Sequence, residues 1–106
     1  MVNRYDIYWV DLNPTIGSEM NKIRPCIIIS PVESNRFLRT VIVAPITSSN
    51  KTYKSRINFL LLGKKAQICL DQIRAIDKQR IGKRIDSLSK IKVKELINTL
   101  KEYLID

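Results

Sequence analysis

The chain reads as a mainly β domain closed by a C-terminal helix, a small curled antiparallel sheet of the barrel or barrel-like sandwich kind. Three observations predict it. Short runs rich in β-branched and aromatic residues fill the first two-thirds of the sequence. A helical spacing of apolar residues takes over only near the end. At 106 residues there is room for one domain, residues 1–106, and 44% hydrophobic content supports a core.

The elements follow in order. Tyr5–Leu12 (YDIYWVDL) is rich in strand-forming residues, and Cys26–Ser30 (CIIIS) and Thr40–Ile46 (TVIVAPI) are almost wholly apolar. Pro45 has no N–H to give a ladder, so its strand is expected to end, bulge or lie at an edge there. Arg56–Leu62 and Ala66–Leu70 flank Gly63-Lys64-Lys65, a hairpin turn. Gln72–Asp77 makes a further strand, and DKQRIG (Asp77–Gly82) a turn or a single helical turn. Val93, Leu96, Ile97, Leu100, Tyr103 and Leu104 form a helical stripe, with Ser87 or Ser89 as its cap.

Charge narrows the partners. Nineteen Lys and Arg against ten Asp and Glu give +9 and a pI near 9.8. Such a surface attracts polyanions: nucleic acid, anionic membrane or an acidic protein. A solvated lysine-rich face fits the same numbers. No apolar run approaches the ~20 residues of a membrane helix. The start, MVNRYDIYWVDL, carries acids within its apolar run and lacks a small-residue cleavage site, so a cytoplasmic protein with no membrane partner is expected.

Histidine is absent, which removes Ser-His, Cys-His and paired-His acid–base systems. Cys26 and Cys69 lie in apolar runs and read as reduced core thiols. Two isolated cysteines without histidine do not make a four-ligand metal shell, and no cofactor is expected.

Several side chains stand out. Arg24 is followed by Pro25, which biases it toward extended backbone at the mouth of an apolar strand. A guanidinium on a rigid mount suits phosphate, though a solvated arginine reads the same way. Thr47-Ser48-Ser49-Asn50 puts hydroxyls at a strand end, as phosphate ligands or as an ordinary turn. In Asn35-Arg36-Phe37 the polar pair suits base edges, while Phe37 reads as a core residue after a turn. Gly17–Lys22 (GSEMNK) is a substrate-contacting loop or a plain solvent loop. Asp71, Arg74, Asp77 and Arg80 alternate in charge, as in structural ion pairs. Lys83, Arg84, Lys90, Lys92 and Lys94 make the densest basic stretch.

Five blocks in order resemble the MazF/PemK toxins of prokaryotic toxin–antitoxin systems: YDIYWVDLNPTIGSE (Tyr5–Glu19), Arg24–Ile28, Asn35–Phe37, Val41–Ser48 and LDQIRAIDKQRI (Leu70–Ile81). The resemblance implies an SH3-like barrel of the CcdB/PemK type, a homodimer, and metal-independent cleavage of single-stranded RNA at short motifs. It places the catalytic pair on Arg24 and Thr47. It places substrate contacts on Ser18, Glu19, Asn21, Lys22, Asn35, Arg36, Ser48, Asp71 and Gln72. It also implies an acidic, partly disordered MazE-like antitoxin that covers the RNA groove. Arginine is protonated and makes a poor base, so Glu19 is the candidate carboxylate for proton removal. Tyr5 stands where the family has glycine, and the segment from Asn50 to Lys65 is shorter than in many members. Two rivals remain, a CcdB-like toxin that poisons DNA gyrase and a basic barrel that binds nucleic acid without cutting it.

Overall fold

In the central strands almost every side chain is apolar because the sheet they form is buried on both faces. The computed structural model describes residues 2–14, 16–17 and 22–105. Strands β1 (Asp6–Asp11), β2 (Ile23–Ile28), β3 (Thr40–Thr47), β4 (Arg56–Leu61), β5 (Lys64–Cys69), β6 (Arg74–Asp77) and β7 (Ile81–Ser87) join one sheet. Its path runs β4-β5-β3-β2-β1-β7, with β6 paired to the first half of β3. A short helix α1 (Val32–Phe37) links β2 to β3, and α2 (Lys90–Leu104) closes the chain. The mainly β fold with a terminal helix is thus the one expected.

Alternation sorts the side chains into two cores. Ile7, Ile27, Ala44 and Ile46 meet Ile57, Phe59 and Ile68 of the β4–β5 hairpin, with Leu96 of α2 fully buried among them. On the other face Tyr8, Val10, Cys26, Ile28, Val41 and Val43 pack with Ile76 of β6. Ser89 caps α2 by accepting the Lys92 N–H at 3.3 Å. The predicted helical stripe is only partly used: Leu96 is buried, whereas Ile97, Tyr103 and Leu104 stay exposed.

Pro45 corrects one expectation, because β3 passes straight through it. The strand changes partner there instead. Val43 is the last residue paired to β6 and Ile46 the first paired to β5. The missing N–H therefore falls in the gap between two partners on that side.

The β4–β5 turn is Leu62-Gly63, and Lys64 and Lys65 already belong to β5. Both turn residues have positive φ, 51° and 81°, as a type I′ hairpin requires. Tyr5 also has positive φ, 69°. The position thus uses a conformation that glycine adopts without strain.

Sequence reading missed α1 and β7. Helix α1 carries Asn35, 1% exposed, whose amide donates to the Ser30 carbonyl at 2.9 Å while its oxygen takes the Ser30 hydroxyl. Phe37, expected in the core, is 79% exposed. Strand β7 pairs with β1 through two register shifts. Gly82 lies at that close crossing, where a Cβ would come 3.2 Å from the Trp9 carbonyl oxygen. Among the described residues no helix is long and apolar enough to cross a membrane.

Candidate functional site

Sheet register assembles the site. Cys26 pairs with Pro45 and Ile27 with Ala44, so Arg24 and Thr47 lie two residues beyond the last β2–β3 pair, on adjacent strand ends, and both line one cavity. Thr47 in turn pairs with Gln67 of β5, and Gln67 with Asn58 of β4. Thr47, Gln67 and Asn58 thus form one polar row across three strands, with Arg24 near its β3 end. Their neighbours Ile46, Ile68 and Ile57 point into the first core, so the row occupies the opposite face.

Thr47 is the last residue of β3, and its hydroxyl oxygen accepts the Ser49 N–H at 3.3 Å. A hydroxyl held as an acceptor keeps its own proton to give to an incoming oxygen. Arg24 is half-buried near the start of β2, on a backbone fixed by pairing of Val10 to Arg24.

Two concavities meet beside the row, sharing Ser48, Lys65 and Ala66. The larger, about 1050 Å³, runs under the β3–β4 loop and is lined by Ser48, Lys51, Tyr53, Arg56, Lys65 and Lys92 among others. No carboxylate is found among its described lining residues, which makes it an anion-attracting groove. The smaller, about 400 Å³, opens where Arg24 and Thr47 sit and is chiefly apolar, with Trp9, Ile23, Ile46, Leu61 and Ile85 in its wall.

The floor of the groove is fixed by an ion pair. Arg56 donates to Asp71 at 2.9 and 3.3 Å, and the Ser55 hydroxyl adds a third bond at 3.0 Å. Burial pushes the Asp71 carboxyl up, but the bonds from Arg56, its own backbone and Ser55 outweigh it and hold it below the usual carboxylate range. The Arg56 guanidinium also lies over the Tyr53 ring, 5.2 Å from its centroid.

Burial raises the Cys26 thiol to about 12 and the Cys69 thiol to about 11, although the charge of Arg24 pulls each back somewhat. Both are free and buried, as core thiols should be. Among the described residues no three His, Cys, Asp or Glu side chains gather at one point, and no residue is assigned to a metal or cofactor.

The expected contact residues fare unevenly. Ser48 lines both concavities. Asn35 is a structural residue, a correction forced by its burial and its bonds to Ser30. Arg36 is exposed on α1, which follows the far end of β2 from Arg24, so it joins neither concavity. Asp71 is occupied by Arg56, and the adjoining Gln72 ends a 3₁₀ turn, half-buried. Lys22 is exposed at the loop base, where its N–H donates to the Asn13 side chain at 3.0 Å. Ser18, Glu19 and Asn21 lie outside the described residues.

The alternating charges near β6 do not pair with one another. Arg74 donates to the Leu12 carbonyl at 3.2 Å, Arg80 to the carbonyls of Asp11 and Asn13, and Asp77 accepts the Gln79 N–H. The two arginines thereby fasten the base of the β1–β2 loop. Gln67, Asn58 and Lys51 escaped sequence reading. The one available signal was a glutamine inside the apolar run AQICL.

Comparison with known proteins agrees with this architecture. Residues 3–104 match the model of the family described as PemK-like, MazF-like toxin of type II toxin-antitoxin system. A protein of Staphylococcus saprophyticus named Endoribonuclease MazF is 38% identical, with 94% of this chain and 88% of that protein aligned. A Staphylococcus epidermidis protein of the same name is 37% identical over the same shares. The fold resembles MazF from Deinococcus radiodurans, with TM-score 0.85, 22% identity and coverage of 96% of this chain and 94% of that one. It also resembles a mycobacterial endoribonuclease solved with its cognate antitoxin, with TM-score 0.83, 18% identity and coverage of 98% and 95%. The chain belongs to the PemK-like, MazF-like toxins of type II toxin–antitoxin systems.

Proposed function

We propose that this toxin is a metal-independent endoribonuclease that cuts single-stranded RNA, mRNA above all, at Arg24 and Thr47. The observation that supports the reading is that this arginine and this threonine line one cavity, which shares Ser48, Lys65 and Ala66 with a basic groove. The ribose 2′-oxygen attacks the adjacent phosphorus as the bond from phosphorus to the 5′-oxygen breaks. The products are a 2′,3′-cyclic phosphate and a 5′-hydroxyl end. Arg24 neutralises charge growing on the phosphoryl oxygens and delivers a proton toward the leaving oxygen. Thr47 donates a hydrogen bond from its hydroxyl to the phosphate, and Glu19 is the candidate base for the 2′-proton.

Relatives named as endoribonucleases favour this reading over a gyrase poison. An acidic antitoxin covering the groove is supported by its positive lining and by MazE-MazF complexes among the structural neighbours. A homodimer is supported by Trp9, Ile23 and Leu62, which expose 43%, 62% and 68% of their surface around the apolar cavity. RNA as substrate fits action in the cytoplasm.

The test is cleavage of a defined single-stranded RNA in chelator, with the ends sequenced. Arg24→Ala and Thr47→Ala should each lose about 100-fold or more in rate. Wild-type cleavage by either variant refutes the assignment. Cleavage that disappears in chelator refutes metal independence.

A further inference from the structure

Gln67 is the oddest residue of the polar row. It faces away from the first core, on the same side as exposed Asn58, yet only 2% of its surface is exposed. The β3–β4 loop covers it. Its side-chain nitrogen donates one proton to the Lys51 carbonyl at 2.6 Å and the other to the Asn58 side-chain oxygen at 2.8 Å. A carbonyl accepts only, so the Lys51 contact fixes which end of the amide points at the loop. The Gln67 oxygen is left buried without a partner, alone in that respect among the described residues.

Buried amides normally satisfy both ends. Here one end is sacrificed, and the other ties the loop to the sheet next to Thr47. The tied segment is the same one that supplies Ser48, Lys51 and Tyr53 to the groove wall. Ser48 and Ser49 lead directly from Thr47 into it, and the Ser49 N–H is the group that orients the Thr47 hydroxyl. That contact lies at the strand end, ahead of the segment tied at Lys51, so loop placement bears on the groove wall and not on the Thr47 hydroxyl.

We propose that Gln67 is a positioning residue, a latch that holds the β3–β4 loop closed so that the groove grips RNA beyond the cleaved phosphate. This rests on the ribonuclease reading above. The unpartnered oxygen makes the latch a costly one to close, so its role is to place the loop and not to stabilise the fold.

The experiment uses the full chain and two RNAs. Sequenced digests of a long RNA give the cut site. A minimal oligonucleotide spanning it is then compared with one extended by several nucleotides on each side. Gln67→Met keeps the shape and removes the donor, and Gln67→Glu keeps the shape with an acceptor facing Lys51. Gln67→Met should melt close to wild type, whereas Gln67→Glu, which buries a carboxylate against two acceptor oxygens, should fold but melt lower. For the extended RNA each should lose on the order of tenfold in kcat/KM, carried by KM. For the minimal RNA the change should be below about twofold by the same reasoning. Hydrogen exchange at the amides of residues 48–54 should speed up in both.

Equal losses on the two RNAs, or none on either, overturn the latch while leaving the ribonuclease reading intact. Failure of both variants to fold makes Gln67 an ordinary core residue and also overturns it. A wild type that cuts neither RNA overturns the ribonuclease reading, and the latch with it.

Discussion

Replacing Asp71 by Asn removes the charge beneath the groove and leaves a hydrogen-bonding shape. The Arg56 side chain is 9% exposed and that of Asp71 21%, so water replaces little of what is lost. At 2.9 Å and an effective dielectric near 20, the gross attraction is about 6 kcal/mol. Desolvation of both groups offsets roughly half, leaving about 2–3 kcal/mol for the ionic part. The amide still accepts one bond, so Asp71→Asn should destabilise by about 2 kcal/mol. With a urea m-value of about 1–1.5 kcal/mol/M for a chain of this size, the midpoint falls by ~1.5 M.

The pH dependence has a definite sign. The folded carboxyl titrates below its unfolded value, so the pair contributes fully above the unfolded pKa of about 3.9 and is lost as pH falls through the lower folded value. The gap between wild type and Asp71→Asn should therefore hold from pH 7 down to about 4 and close below it. A double-mutant cycle with Arg56→Met should give a coupling above 1 kcal/mol. A midpoint within 0.3 M of wild type, or a coupling below about 0.5 kcal/mol, refutes a partner-dependent buried charge.

Leu62→Asn should stabilise by about 0.5–1 kcal/mol in thermal or urea unfolding, since asparagine tolerates the left-handed backbone that leucine is forced into. Ser89→Ala should cost about 1 kcal/mol through loss of the α2 cap, and Ser89→Asp should restore it. Cys26 and Cys69, raised to about 12 and about 11 by burial, should resist a thiol-specific reagent at pH 8 in the native protein, with two thiols appearing in urea. Rapid native labelling of either would contradict the burial.

Strands β1 to β5 were legible because their residue types and turn punctuation are local properties of the chain. Strand β7, IGKRIDS, was not, because its charged residues sit on a half-exposed edge and its alternation is broken by bulges against β1. Helix α1 is held by one buried asparagine bonded to Ser30, a contact that sequence spacing does not announce. Pro45 was read as a breaker because the sequence does not show that β3 has two successive partners. The site divides the same way. Arg24 and Thr47 stand out by their position at strand ends, but that they come to line one cavity follows only from the sheet register. Gln67 and Asn58 enter only with that register. Asn35 and Asp71 carry side chains suited to RNA contact, and only the packing reveals that each already serves the fold.

The pairing of β1 with β7 joins Asp6 to Ser87, from nearly opposite ends of the chain. Contacts this distant are slow to form, because a long loop must close before they reward it. During synthesis the first strand has to wait for almost the last, with its free edge and Trp9 exposed meanwhile. A toxin built this way matures late: Arg24 is made early, but the strand that carries it gains a fully paired neighbour only when β7 has left the ribosome. An antitoxin present beforehand meets a chain that is not yet finished folding.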